Sequence, residues 1–276
     1  MHENVTFPIG NIVMLDRIKK DYGYFGFVFD KIAGKAKDFQ DIVKSLIYNK
    51  LTDNVSINQI PNIYPEEAFE YLGLDKTPAE RTFYRTIERL GDKFEFVLER
   101  HQKFLVNNNL ISKEQFVDFS STYFEGIKPE LGALGYSRDG APGKKQITFG
   151  ISTGINNIPT ALTIQKGNVQ DKTHFNHTFN VAKKVLEKGS ILIFDCGANT
   201  KTNKKMVRKG KYHYLTLKAK KKKSYRPIIQ LFLQEKKNGN TIKFEMNDSI
   251  YECFKQVEIT KQIIFSFQKS CIRSSY

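Results

Sequence analysis

The sequence predicts an α/β protein with a mostly helical amino-terminal region, a mixed β-sheet with helices in its middle and a β-rich carboxyl-terminal segment. Three observations carry that expectation. Helix-spaced apolar residues dominate from about residue 35 to 112, short β-branched and aromatic runs begin after Lys113, and period-two alternation takes over towards the end. The divisions fall at 1–112, 113–225 and 226–276.

In the first region "DFQDIVKSLIYNKL" places Phe39, Ile42, Val43, Leu46 and Ile47 on one helical face. A second helical block opens at "TPAERTFYRTIERL", where Thr77 suits an N-cap, Pro78 the first turn and Glu80 the third position of a capping box. Phe83, Ile87 and Leu90 share its apolar face. Arg81, Arg85 and Arg89 recur every four residues around the other side, either to track phosphates or as a solvated face partnered by Glu80 and Glu88. The proline-bearing stretch "IPNIYPEEAFEYLGLDKTP" reads as the connection between the two blocks.

In the middle, "KEQFVDFSSTYFEG", "KKQITFGISTG" and "IPTALTIQKG" read as three strands joined by turns. Ile147, Phe149 and Ile151 alternate with polar or small residues and mark the face of the second strand expected to be buried. "DKTHFNHTFNVAKKVLEKG" reads as a helix ending at Gly189, "SILIFDCGANT" as a fourth strand, "NTKTNKKMVRKG" as another helix and "YHYLTLKA" as a fifth strand. That order predicts a mixed sheet. "TIKFEMNDSIYECFKQVEITKQIIFSF" then alternates without a helix-length apolar face and reads as antiparallel strands of a β insertion.

Charge points to a partner. With 44 Lys+Arg against 29 Asp+Glu, the formal net charge is +15, which favours a polyanion, most commonly nucleic acid, over the plainer alternative that charge only confers solubility. The cysteines, Cys196, Cys253 and Cys271, are odd in number and lack Cys-x-x-Cys spacing, which argues against a disulfide framework or structural zinc and fits a reducing cytoplasm. No membrane-length apolar run or signal-peptide layout is present, so a cytoplasmic protein without membrane association is expected.

Two acids interrupt apolar strands. Asp118 is flanked by Phe116, Val117 and Phe119, and Asp195 ends the run Ile191 to Phe194. Aspartate is depleted in strands, and a carboxylate at a core edge needs pairing, hydrogen bonds or a metal. If the first and fourth strands lie side by side the two carboxylates approach, and a divalent cation, Mg²⁺ or Mn²⁺, would relieve their repulsion and support phosphodiester cleavage. The plainer reading has Asp118 bonding nearby backbone amides and Asp195 capping the following helix near Asn199. His174 and His177, three apart, are either surface residues or an incomplete zinc pair. "GYSRDGAPGKKQ" sets Arg138, Lys144 and Lys145 among glycines, as a phosphate-approaching loop or an ordinary hairpin. "KAKKKKSYR", with Lys220, Lys221, Lys222 and Lys223, is a nucleic-acid contact or a solvated charge run.

Taken in order, "VDFSSTYFEG", "LGYSRDGAPGKKQITFGIST", "IPTALTIQKGNVQD" and "ILIFDCGANT" resemble the core of bacterial and archaeal insertion-sequence transposases of the broad insertion-sequence 4 family, with a DDE catalytic domain. The similarity covers about residues 80 to 220. It implies an RNase H-like domain with a β insertion after the second acid, Asp118 and Asp195 as catalytic metal ligands, and Asn168 and Asp171 after Gly167 at the site's rim. It further implies DNA as partner, both element terminal repeats and target, and a homo-oligomer of at least two copies when active. The family's third acid, a glutamate on a helix after the insertion, has no assigned residue. Glu235, Glu245, Glu252 and Glu258 all lie in the apparent insertion, and the end "QKSCIRSSY" reads as a truncated or out-of-frame copy. Three functions stay open: a transposase, a non-catalytic DNA-binding remnant that interferes with intact copies, and a host nuclease on the same fold.

Overall fold

Apolar residues at helical spacing gather the amino-terminal helices around two cores. The computed structural model describes residues 9–20, 23–34, 36–125, 130–136, 140–217, 222–246, 249–257 and 263–270. They fall into two compact units, Met1–Leu217 and Lys218–Tyr276. In the first unit come α1 (Gly10–Lys20), α2 (Tyr24–Ala33), α3 (Phe39–Leu51), a 3₁₀ turn (Ile57–Gln59), α4 (Ile60–Ile63), α5 (Glu66–Leu72), α6 (Glu80–Asp92) and α7 (Phe94–Asn107). Ile42, Ile60, Phe69 and Phe83 anchor one core, and Phe25, Val28, Phe39 and Val43 the other.

Local chemistry departs from expectation in three places here. The connection with three prolines carries two short helices, because Pro61 occupies a first turn and Pro65 an N-cap, positions where proline's missing N–H costs nothing. Ala79, extended at ψ 148°, is the N-cap of α6, so Thr77 and Glu80 form no capping box. Thr86 rather than Ile87 turns inward: Thr86 is buried and bonds the Thr82 carbonyl at 2.9 Å, while Ile87 is exposed.

The sheet is built from β1 (Glu114–Tyr123), β2 (Gln146–Gly154), β3 (Pro159–Lys166), β4 (Ile191–Phe194) and β5 (His213–Thr216), with α8 (Asp171–Ala182) and α9 (Lys201–Lys209) between the last three strands. The spatial order is β3-β2-β1-β4-β5. β1, β2 and β3 run antiparallel in sequence, whereas β4 and β5 lie parallel to β1. This is the expected RNase H-like mixed sheet. The helix expected to end at Gly189 stops earlier, at Ala182, and Gly189 itself takes φ 89° in the turn before β4.

One face assignment reverses. The fully buried face of β2 is Gln146, Thr148, Gly150 and Ser152, while Ile147, Phe149 and Ile151 are only half-buried on the other side. The cause is α8, which packs on β1, β2 and β3. Its Thr178 bonds Thr163 at 2.7 Å, and its His174 meets Thr163 through Nε2 at 2.9 Å and Thr148 through Nδ1 at 3.4 Å. Phe175, Phe179, Leu192, Phe194 and Val207 provide the apolar part of this core.

The second unit holds α10 (Lys222–Lys237) and an antiparallel sheet of β6 (Ile242–Met246), β7 (Ser249–Val257) and β8 (Ile263–Ser270) in the order β6-β7-β8. The expected strands are present, but the segment from 226 opens inside a helix. Pro227 and the flanking basic residues obscured the helical spacing of Ile228, Leu231 and Phe232, of which Phe232 packs on Phe254 with ring centroids 5.8 Å apart.

Candidate functional site

β1 and β4 pair in parallel with Val117 opposite Phe194. The next residue in each segment is an aspartate, so Asp118 and Asp195 both follow directly from the last paired position, where β4 ends and β1 continues beside β2. Alternation does the rest. Val117 and Phe119 point into the core, which turns Asp118 and Phe116 to the opposite, exposed face. Neither carboxylate is buried.

Both acids also make the local bonds of the plainer reading. Asp118 Oδ1 accepts from the Phe119 N–H at 2.8 Å, and Asp195 Oδ1 accepts from the N–H groups of Gly197 at 2.9 Å and Ala198 at 3.3 Å. Asp195 does not cap the following helix. Thr200 does, accepting from the Asn203 N–H at 3.0 Å. The loop after Asp195 is tied to β5 by Thr216, whose hydroxyl donates to the Asp195 carbonyl at 3.1 Å, and by Asn199, whose amide donates to Leu217 O at 2.7 Å.

A further carboxylate lies near that of Asp195. Asp171, the first residue of α8, carries Oδ2 2.8 Å from the position a Cβ on Gly197 would take, and Asp195 Oδ1 and Oδ2 lie 3.2 and 3.3 Å from that same point. Buried Asn203 holds the two backbones together, its amide donating to Lys172 O at 3.0 Å and to Ala198 O at 2.9 Å. Asn168 is exposed in the turn just before α8. Gly197 and Asn203 were not singled out from the sequence, because their roles depend on the approach of α8 to a distant loop.

The basic candidates separate by position. Arg81 and Arg85 are exposed on α6, whereas Arg89 is half-buried, its guanidinium 5.4 Å from the centroid of the Phe39 ring, so the row is not one uniform face. Lys144 and Lys145 are exposed before β2. Lys144 pairs with Glu125 and sits 4.6 Å over the Tyr123 ring; the bond to Glu125 raises the lysine pKa and lowers that of the glutamate. Arg138, Lys220 and Lys221 lie outside the described residues, and Lys222 and Lys223 open α10 with side chains likewise outside them.

His174 is a core residue at 1% exposure, so the zinc pair is not formed: His174 is taken up by the threonines, and His177 Nδ1 meets Gln165 Nε2 at 2.6 Å. Among the glutamates, Glu235 is on helix α10, in the segment expected to be β-rich, and accepts from Asn240 at 2.8 Å. Glu245 is exposed on β6. Glu252 is buried on β7, where Lys236 at 2.6 Å and Thr241 at 2.7 Å hold its pKa down. Glu258 lies outside the described residues.

Among the described residues no three metal-ligating side chains form a ready-made cluster. Asp118, Asp195 and Asp171 are exposed or half-buried, and carboxylate oxygen is the ligand type that suits a hard cation such as Mg²⁺ or Mn²⁺. The gap beside Gly197, bounded by two of these carboxylates, leaves room that a side chain would fill. Among the described residues no helix is long and apolar enough to cross a membrane.

No family model matches the chain, and no similar curated sequence was found. Among solved structures it is similar to the piggyBac transposase synaptic complex with hairpin DNA, at 10% identity and a TM-score of 0.44 over 99% of this chain. It is also similar, over 72% of its length, to the Mos1 transposase paired-end complex with the left transposon end, at 11% identity and a TM-score of 0.29, and to the Mos1 strand transfer complex, at 10% and 0.28. The chain covers 63% of the first of these chains, 64% of the second and 63% of the third.

Proposed function

We propose that this chain is a transposase-type DNA-binding protein with a metal-dependent phosphodiester-processing site centred on Asp118 and Asp195. The observation that supports the reading is that both acids are exposed and follow directly from the last paired position of parallel strands β1 and β4. The net charge of +15 supports a polyanionic substrate.

In this reading Asp118 and Asp195 hold the cation, and Asp171 adds a carboxylate from the rim. The Gly197 and Ala198 amides fix one oxygen of Asp195 and so orient the carboxylate. When bound, Mg²⁺ or Mn²⁺ would polarise a phosphoryl oxygen, activate the attacking hydroxyl or water and steady the leaving oxygen. Exposed Arg81, Arg85 and Lys145 would meet phosphates and position the strand. Joining two element ends to a target would engage at least two copies of the chain.

Calorimetric Mn²⁺ titration tests the site, with wild type beside Asp118→Asn and Asp195→Asn. Binding in the micromolar range that is lost in both variants is expected, together with loss of metal-dependent nicking while DNA binding persists. Equal Mn²⁺ binding in all three proteins would reject the site, and DNA binding without metal-dependent nicking would favour a non-catalytic DNA-binding protein.

A further inference from the structure

Tyr136 is 85% exposed, more than any other large apolar side chain among the described residues. Exposure of a single aromatic is ordinary; the backbone beneath this one is not. Ala133 and Gln146 exchange both backbone hydrogen bonds, at 3.1 and 3.0 Å, and buried Gln146 donates from its side chain to Tyr136 O at 2.9 Å and to Gly167 O at 3.0 Å. Gly135 lies so close to the Gly167 carbonyl that a Cβ there would overlap it. The ring is therefore offered to solvent from a backbone anchored at Ala133, at Gly135 and at its own carbonyl.

The surroundings are basic and aromatic. Gln146 pairs across the sheet with Tyr123 and follows Lys144 and Lys145 directly. The Lys144 ammonium already covers one face of Tyr123. Lys145 is exposed, and its backbone carbonyl accepts from Phe124 N–H at 2.8 Å, which fixes where that side chain starts.

We infer that Tyr136 is a stacking platform for an unpaired nucleic-acid base, with Lys145 meeting a neighbouring phosphate. This rests on the nucleic-acid reading above and adds the form of the strand. A duplex offers groove edges and phosphates but keeps its base faces stacked, whereas an unpaired base presents a π-face to an aromatic ring, which every base can do whatever its sequence. A tyrosine on a pre-set backbone loses little freedom on binding, because only two side-chain torsions remain to be ordered.

The test uses the full chain, a single-stranded oligonucleotide and a blunt duplex of the same sequence, with binding read by fluorescence anisotropy at several salt concentrations. Tyr136→Ala is expected to weaken single-strand binding about ten-fold, with duplex binding changed less than about two-fold, and Tyr136→Phe to keep both. Lys145→Ala should weaken both probes and lower the salt slope by about one. If wild type binds both probes and Tyr136→Ala binds them equally well, the stacking role is overturned and Tyr136 becomes available to a protein partner. Wild type that binds neither probe would instead remove the nucleic-acid reading on which the role rests.

Discussion

On the side of the sheet that meets α8, β1 and β2 bury Gln115, Thr148, Gly150 and Ser152, whereas on the other side they carry Phe116, Asp118, Ile147, Phe149 and Ile151 at partial or full exposure. By hydropathy alone the two sides of β2 would be exchanged, although β1 also buries Val117 and Phe119 on the inner one. The polar face can be buried because its groups find partners: Gln115 Oε1 accepts from Ser152 at 3.0 Å and from Thr160 at 2.6 Å, and Gln102 reaches Thr160 O at 2.8 Å. Among the described residues Ser121 Oγ is the exception, buried without a partner. The difference teaches that the facing helix selects the inner side of this sheet, by supplying His174, Thr178 and two phenylalanines, and leaves the outer side to present the acid.

The largest effect should come from emptying the inner side. Phe175 is fully buried between Phe179 and Phe194, so Phe175→Ala is expected to cost about 3–5 kcal/mol in urea unfolding. Half-buried Phe149 should cost less than half as much. Equal losses at the two positions would break the distinction between the faces. Next, Gln115→Leu removes the acceptor shared by Ser152 and Thr160 and should cost about 1–3 kcal/mol despite adding apolar volume. A stabilised variant would mean that the buried polar network only tolerates its position.

On the outer side the expected cost nearly vanishes. Asn in place of Asp118 keeps an oxygen for the Phe119 amide and stays exposed, so Asp118→Asn should change stability by less than about 0.5 kcal/mol. A large loss would give the acid a structural task and weaken the case for a functional one.

How much of this could be read from the sequence varied with the range of the interaction. The five strands were legible as β-branched and aromatic runs, and Asp118 and Asp195 stood out because each interrupts one. Their register was not legible, since it depends on β4 pairing with β1 across a separation filled by β2, β3 and α8. The inner face of β2 was misread for a related reason: its threonines and serine look like solvent residues until α8 and Gln115 supply their partners. Helix α10 went unseen where Pro227 and a basic run hide a short apolar stripe. Asp171 was visible only through a family resemblance, and its approach to Asp195 depends on Asn203, a residue without any pattern of its own.

The smallest structural change offers the finest test of the corner. A methyl group on Gly197 would stand 2.8 Å from Asp171 Oδ2 and 3.2 and 3.3 Å from the Asp195 oxygens, too close for the first to stay where it is. The atom in the way is the end of a side chain on a half-buried residue, so it can swing aside at little expense to the fold. Gly197→Ala should therefore leave stability within about 0.5 kcal/mol of wild type. It should nonetheless weaken Mn²⁺ binding several-fold, because displaced carboxylates no longer meet at one point. If Mn²⁺ affinity holds while stability falls, the glycine serves the turn after β4 and Asp171 stands outside the site. If affinity falls with the fold intact, the gap between the Asp171 and Asp195 carboxylates is the feature that the turn after β4 is arranged to keep open.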